Sequence, residues 1–156
     1  MLAATTLSVS GWQYLTHVDP IGQTVHVAEF ISNDNALSSQ LRFSCGGIVG
    51  VELQFNLGHS NFDSSDLANE EPEWEDVSFE FAEGPYPTTA KRAPLTDGVG
   101  TFEIKGGDAM FIAKLLRSGG SVVITHGDQQ AGFSLVGASA PISQAIDACP
   151  FKYVDQ

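Results

Sequence analysis

Cys45 and Cys149 are the only cysteines in the chain, and they suggest its most specific chemistry. An even pair in an exported protein favours a disulfide. In the chain-entropy model, closing a loop of about a hundred residues adds about 4.7 kcal/mol to the free energy of unfolding. Both cysteines fall on apolar faces of their predicted elements, so two buried thiols are the alternative. A redox-active pair is disfavoured because the sequence has no Cys-x-x-Cys spacing.

The four histidines, His17, His26, His59 and His126, stand singly in the sequence. None belongs to an H-E-x-x-H or H-x-x-x-H pair, so a zinc site would have to be assembled by the fold. His17 and His26 could meet across a hairpin. We expect structural or solvent-exposed histidines, and we expect neither a metal site nor a cofactor.

Motifs for nucleophilic or phosphate chemistry are weak. The nearest match to a nucleophile elbow lies at residues 137–141 around Ser139, and it lacks the second glycine. Gly46-Gly47 and Gly106-Gly107 lack the spacing and the Lys-Ser/Thr of a P-loop. The sequence therefore predicts a protein without catalytic residues.

Residues 63–83 are the most distinctive stretch, because they hold nine of the 19 acidic residues, no basic residue, and Trp74. Three interpretations compete: a solvated loop, a docking surface for a basic protein partner, and a calcium site. The calcium site is the weakest, since the D-x-D-x-D-G spacing is missing. An exposed Trp is a common anchor of protein interfaces. The candidate contact residues are Asp66, Glu70, Glu71, Glu73, Trp74, Glu75 and Asp76.

Length, composition and charge predict the class of protein that carries these residues. The chain has 156 residues, 42% of them hydrophobic, which predicts a single globular domain over 1–156. Its formal charge of −12 disfavours binding to nucleic acid or to anionic membranes. No apolar run approaches the roughly 20 residues that span a bilayer, so we expect no membrane insertion. Residues 1–40 contain no Lys or Arg, so the N-terminus lacks the positive region of a secretory signal.

Alternating apolar residues predict about eight strands. Asp19-Pro20-Ile21-Gly22 and Gly46-Gly47 supply turns for two hairpins. Residues 61–72 and 84–98 are interpreted as exposed loops. The predicted strands cover residues 9–18, 24–32, 40–45, 49–57, 77–82, 100–105, 121–125 and 131–136.

The last third of the chain changes to a helical period. Residues 108–117 predict an amphipathic helix with Asp108 as N-cap and Gly119-Gly120 as its stop. Residues 139–149 predict a second short helix with Pro141 in its first turn. Together these elements predict a mainly β protein, an antiparallel β-sandwich with two short C-terminal helices.

The order of these parts resembles small exported proteobacterial proteins of the VasI-like type VI secretion-associated kind. The resemblance is carried by the strand that begins near Trp12 and precedes Asp19-Pro20, the strand ending in Cys45, the runs at 111–116 and 132–137, and the helix ending Ala148-Cys149. It implies a β-sandwich outside the cytoplasm with an accessory role and no enzymatic activity.

The sequence thus favours a non-enzymatic accessory or assembly component, periplasmic or extracellular, that binds a protein partner through its acidic surface. A structural subunit of a phage virion or an appendage is one alternative, which would allow a cytoplasmic or virion location. An acidic inhibitor of a basic-groove enzyme is another. The partner's identity and the oligomeric state are not encoded in any motif.

Overall fold

A computed structural model describes residues 11–31, 40–57, 74–92 and 101–151. Within these residues the fold is mainly β, with one antiparallel sheet and two helices, as the sequence predicts. Its arrangement as a two-layer sandwich stays a prediction. The helices are α1 (Gly107–Leu116) and α2 (Ser139–Ala148). The strands are β1 (Gly11–Val18), β2 (Thr24–Ile31), β3 (Gln40–Gly46), β4 (Gly50–Asn56), β5 (Trp74–Phe81), β6 (Gly84–Arg92), β7 (Phe102–Lys105), β8 (Ser121–His126) and β9 (Gln129–Ser134).

The nine strands of the described chain follow the order β1-β2-β3-β4-β7-β6-β5-β8-β9, and every neighbouring pair is antiparallel. Cross-strand partners share a face, so the register assigns each side chain to one of two faces. One is the core face, which carries the apolar alternation of β3 and β4 through Phe43 and Leu53. The opposite side is called the outer face below.

Strand β6 corrects the sequence prediction, which interpreted residues 84–98 as a loop because of Gly84, Pro85 and Pro87. Those residues pair with β5 along its length, whereas β7 pairs with β6 only at Lys91 and Arg92. The prolines therefore lie where one side of β6 is open. A missing N–H costs no ladder hydrogen bond on such an edge, so the strand tolerates them.

Strand β5 also begins earlier than predicted. The sequence interpretation started it at residue 77, but Trp74, Glu75 and Asp76 already belong to it. Acidic residues disfavour strands by only a small amount. Pairing with Lys91, Ala90 and Thr89 of β6 supplies the hydrogen bonds that extend β5 over them.

Helix α1 begins one residue before the predicted start. Its N-cap is Gly106, which makes no side-chain capping bond, so the predicted N-cap Asp108 lies in the first turn instead. Gly106 has φ 73°, a conformation that few other residues adopt. This conformation joins β7 to α1, while the Gly106 N–H donates to the Val51 carbonyl at 2.9 Å. Asp108 still lies close to the positive end of the helix dipole.

The core lies between the sheet and the helices. Helix α1 packs on β4 and β7, and α2 packs on β1, β2 and β3. Ile112 and Ile142 are fully buried at these contacts. Burying branched aliphatic and aromatic side chains is the main stabilising contribution to such a domain, roughly 1.5–3 kcal/mol for each large side chain.

The two edge strands of the sheet approach one another. The Trp12 indole nitrogen on β1 donates to the Ser134 carbonyl on β9 at 2.8 Å. Behind it, the Phe30 and Phe133 rings meet edge to face with centroids 5.7 Å apart. The sheet therefore curls until its first and last strands make side-chain contact.

Asp19 organises the β1–β2 turn. Its carboxylate accepts hydrogen bonds from the N–H groups of Ile21, Gln23 and Ile48, at 3.1, 2.9 and 2.9 Å. Desolvation acts to raise the pKa of Asp19, but these backbone donors outweigh it and hold the pKa below its usual value. A Cβ at Gly47 would collide with this carboxylate, so the Gly46-Gly47 pair is needed for close approach.

Candidate functional site

The outer face of β5 carries an exposed acidic strip, defined here as Trp74, Asp76 and Glu80. These residues alternate along one strand, so their side chains share a face. The Trp74 side chain is 61% exposed, although indole is among the residues that proteins usually cover. Asp76 and Glu80 are exposed as well. The β5 strip thus joins a large apolar ring and two carboxylates in one line.

The neighbours of this strip are largely uncharged. Asp76 pairs with Thr89, and Glu80 pairs with Pro85 on one side and Val123 on the other. Among the described residues, neither carboxylate has an ion-pair partner. Lys91, opposite Trp74, is the nearest base in the register. The negative charge of the strip is therefore presented to solvent.

Glu75 points to the core face instead and belongs to an ion cluster with Arg92 and His126. The Arg92 guanidinium binds both carboxylate oxygens, through Nε to Oε2 and through Nη2 to Oε1 at 2.9 Å. His126 Nε2 lies 2.9 Å from Oε1, and the His126 ring packs on Phe102 with centroids 4.9 Å apart. All three side chains are mostly buried.

The electrostatics of this cluster favour the carboxylate form of Glu75. Burial by itself raises the pKa of Glu75, but hydrogen bonds and charge from Arg92 and His126 outweigh it and bring the pKa below its usual value. Glu75 is therefore ionised and paired inside the protein. Its geometry fits a stabilising role better than a contact with a partner.

A groove lies beside the tip of the β5–β6 hairpin, against α1. Its volume is about 420 Å³, within the roughly 300–1,000 Å³ of common ligand pockets. Tyr86 and Phe111 stack on one side, with ring centroids 5.2 Å apart. The polar residues at the groove are Glu83 and Ser118, and its apolar lining is formed by Phe81, Pro85, Tyr86, Phe111 and Leu115.

Two features mark this groove as accessible and acidic. Phe111 remains 43% exposed although it belongs to the apolar stripe of α1. Glu83 lines the groove, and burial together with the Asp108 carboxylate raises the pKa of Tyr86.

The predicted contact residues separate into three groups. Trp74 and Asp76 lie together on the β5 strip, and Glu75 is withdrawn into the ion cluster. Asp66, Glu70, Glu71 and Glu73 lie outside the described residues. The groove was missed because Tyr86 fell in a segment interpreted as a loop. The large apolar Phe111 on the first turns of α1 was its one sequence signal.

The structure also gives the positions of both cysteines and of three of the four histidines. Cys45 and Cys149 lie at disulfide distance, with Cα atoms 5.5 Å apart. His26 Nδ1 lies 2.7 Å from the Tyr14 hydroxyl, while His17 pairs with Val25 on the other face of the hairpin, so the two histidines do not meet. His59 is outside the described residues. In the described part of the chain, no group of three or more His, Cys, Asp or Glu side chains could hold a metal ion.

A scan against protein-family models, a search of curated proteins and a search of solved structures each find no match to this chain. The similarity to VasI-like proteins stays a prediction. Across the described residues, neither helix is long and apolar enough to cross a bilayer.

Proposed function

We propose that this protein is a non-enzymatic accessory or assembly component that binds a partner protein through the β5 strip. The observation that carries the proposal is the exposed Trp74, in line with two exposed carboxylates that lack ion-pair partners among the described residues. Trp is enriched among the residues that dominate interface energies. Exposed like charges speed association with a surface of opposite sign.

The partner's contact surface is basic. The whole chain has a formal charge of −12, so its long-range field attracts cations and repels phosphates. Within that field, Trp74 supplies an apolar anchor that a simple counterion layer would not use. The partner surface that complements the β5 strip is therefore basic and contains an apolar cleft for the Trp74 ring.

The residues with catalytic potential have structural contacts that support a non-enzymatic role. His126 and Glu75 pair with one another and Arg92 binds the same carboxylate. His26 lies within hydrogen-bond distance of the Tyr14 hydroxyl. In these contacts the side chains stabilise the fold.

A location in the periplasm or outside the cell completes the proposal. The Cys45–Cys149 pair supports it, because disulfides persist in oxidising compartments. The test is the intact mass of the protein from its native source, before and after reduction and alkylation. We expect a bonded pair; two alkylated thiols without prior reduction would contradict export.

The binding proposal is tested by photo-crosslinking in the native source. A benzophenone side chain replaces Trp74, and the same group replaces the exposed Val136 as a matched control on another surface. We expect one protein to be captured at position 74 and absent at position 136. Equal capture at both positions would overturn the proposal, and capture of a second copy of this chain would favour a structural subunit of a larger particle instead.

Affinity for the captured protein then tests the charges. We expect Asp76→Lys and Glu80→Lys each to weaken binding by about tenfold, and Trp74→Ala by about thirtyfold. Asp147→Lys makes the same charge change at an exposed position on α2, away from the outer face, and should have little effect. If all three reversals act equally, net charge rather than the strip controls binding, and the proposed site is wrong.

A further inference from the structure

We propose that the groove between the β5–β6 hairpin and α1 binds an extended segment of the partner protein that carries an aromatic or large aliphatic side chain flanked by Lys or Arg. This inference rests on the proposed function, since the occupant is part of the partner. It assigns a second site, on different residues, to the same interaction.

The lining of the groove selects an apolar side chain. Phe81, Tyr86, Phe111 and Leu115 present rings and methyl groups to a cavity of about 420 Å³. Phe111 stays 43% exposed, so the groove leaves apolar surface uncovered. Covering such a surface lowers the free energy of the system, in proportion to the apolar area removed from water. One large side chain is suited to this site.

The rim of the groove selects a cation. Glu83 lines the groove at the hairpin turn, and the exposed Asp108 in the first turn of α1 acts electrostatically on Tyr86 of the groove lining. Neither forms an ion pair with another described residue. The aromatic lining adds to this preference, because ring faces attract ammonium and guanidinium groups.

Phe81 and Tyr86 of the groove face the opposite side of the sheet from the β5 strip, and the two sites meet at the tip of the β5–β6 hairpin. Glu80, the last residue of the strip, lies one residue before Phe81 of the groove, and Glu83 follows in the same turn. A partner that contacts Trp74 and Glu80 therefore has a path to the groove around the hairpin tip. The negative charge that Glu83 gives the groove, next to that of the strip, favours a basic protein segment as the occupant.

The probe is a capped lysine–phenylalanine–lysine tripeptide, followed by NMR on the full-length protein. We expect saturable shifts of the Tyr86 and Phe111 ring signals and of the Leu115 methyl signals. A glutamate–phenylalanine–glutamate peptide and a lysine–glycine–lysine peptide should each bind at least about tenfold more weakly, because one lacks the charge and the other the ring. Equal shifts with all three peptides would overturn the proposal.

Two variants locate the binding. Phe111→Ala should abolish the saturable shifts, and Glu83→Lys at the exposed turn should weaken binding about fivefold without affecting folding. Asp128→Lys is the matched control and should bind the peptide as the unmodified protein does. Unchanged affinity in Glu83→Lys, or shifts confined to the Trp74 indole, would contradict the groove as the site.

The outcomes separate this inference from the proposed function. Capture at position 74 without peptide binding would rule out the groove as a binding site and would keep the β5 strip as the contact surface. Peptide binding without capture at position 74 would keep the groove as a binding site for basic segments with an apolar side chain. It would rule out the β5 strip as the contact surface.

Discussion

The two halves of the outer face differ in how their carboxylates are paired. On β2, β3, β4 and β7, acids meet bases across strands: Arg42 lies 3.0 Å from Glu29, and Lys105 lies 3.5 Å from Glu52. On β5, Asp76 and Glu80 face threonine, proline and valine. One half of the face uses its charges within the fold, whereas the other presents them to solvent.

Burial differs in the same sense. Val27 and Glu52, on the first half of the outer face, are buried. Burial, followed by repulsion from Glu103, raises the pKa of Glu52, although Lys105 opposes the shift. The β5 strip is open, and Glu75, which would add a third carboxylate, is turned inward. Because of this difference, the stability of the fold and the proposed binding can be tested on separate residues of one sheet.

The disulfide should have the largest effect, and it belongs to the half of the sheet that contains β3. Replacing both cysteines by alanine should lower the free energy of unfolding by about 2–5 kcal/mol, because the bond closes a loop with a sequence separation of 104. Urea unfolding with and without reductant measures it. The double variant should not respond to reductant; an unchanged midpoint for reduced wild-type protein would contradict a stabilising bond.

Glu75→Gln should have the next largest effect, and it tests the interior side of the β5 half. It removes the carboxylate that the mostly buried Arg92 and His126 side chains share, which should cost about 1–3 kcal/mol. The matched control is Asp76→Asn, the adjacent residue on the exposed side of the same strand. Equal losses in the two variants would show that the faces of β5 do not differ.

Acid pH should reproduce part of the Glu75 effect. Because the pKa of folded Glu75 lies below its unfolded value, its contribution to stability is complete above the unfolded pKa of about 4.3 and is lost as pH falls through the folded pKa. Urea midpoints between pH 7 and pH 3 measure this. The stability gap between wild type and Glu75→Gln should narrow toward acid pH; a constant gap would contradict the assignment.

Much of the fold could be predicted from the sequence because its signals are local. The alternation in β3 and β4 and the helical stripes of α1 and α2 each appear within about ten residues. Strand β6 was missed because Pro85 and Pro87 normally exclude a central strand. The strand tolerates these prolines because β7 pairs with β6 only at Lys91 and Arg92, and this pairing was not visible in the sequence.

The interior of the candidate site could not be predicted, because its contacts are distant in sequence. Arg92 is 17 residues from Glu75, and His126 is 51 residues from it. The alternation of Val77, Phe79 and Phe81 assigns Glu75 to the inward side only if β5 begins at Trp74, and the predicted strand began at residue 77. The Cys45–Cys149 pair, in contrast, could be predicted because the chain has only two cysteines, and the packing of α2 beside β3 brings them to disulfide distance.

The smallest expected effects compare neutral variants on the two halves of the outer face. Glu29→Gln breaks a partly exposed ion pair with Arg42 and should cost roughly 0.2–1 kcal/mol. Asp76→Asn with Glu80→Gln removes two carboxylates without ion-pair partners among the described residues, so it should leave stability unchanged or raise it slightly, since the chain carries a formal charge of −12. Urea unfolding at low ionic strength gives the greatest contrast, because added salt screens both effects. A loss of stability in the β5 double variant as large as in Glu29→Gln would mean that the strip serves the fold, and its carboxylates would then be poor candidates for a binding surface.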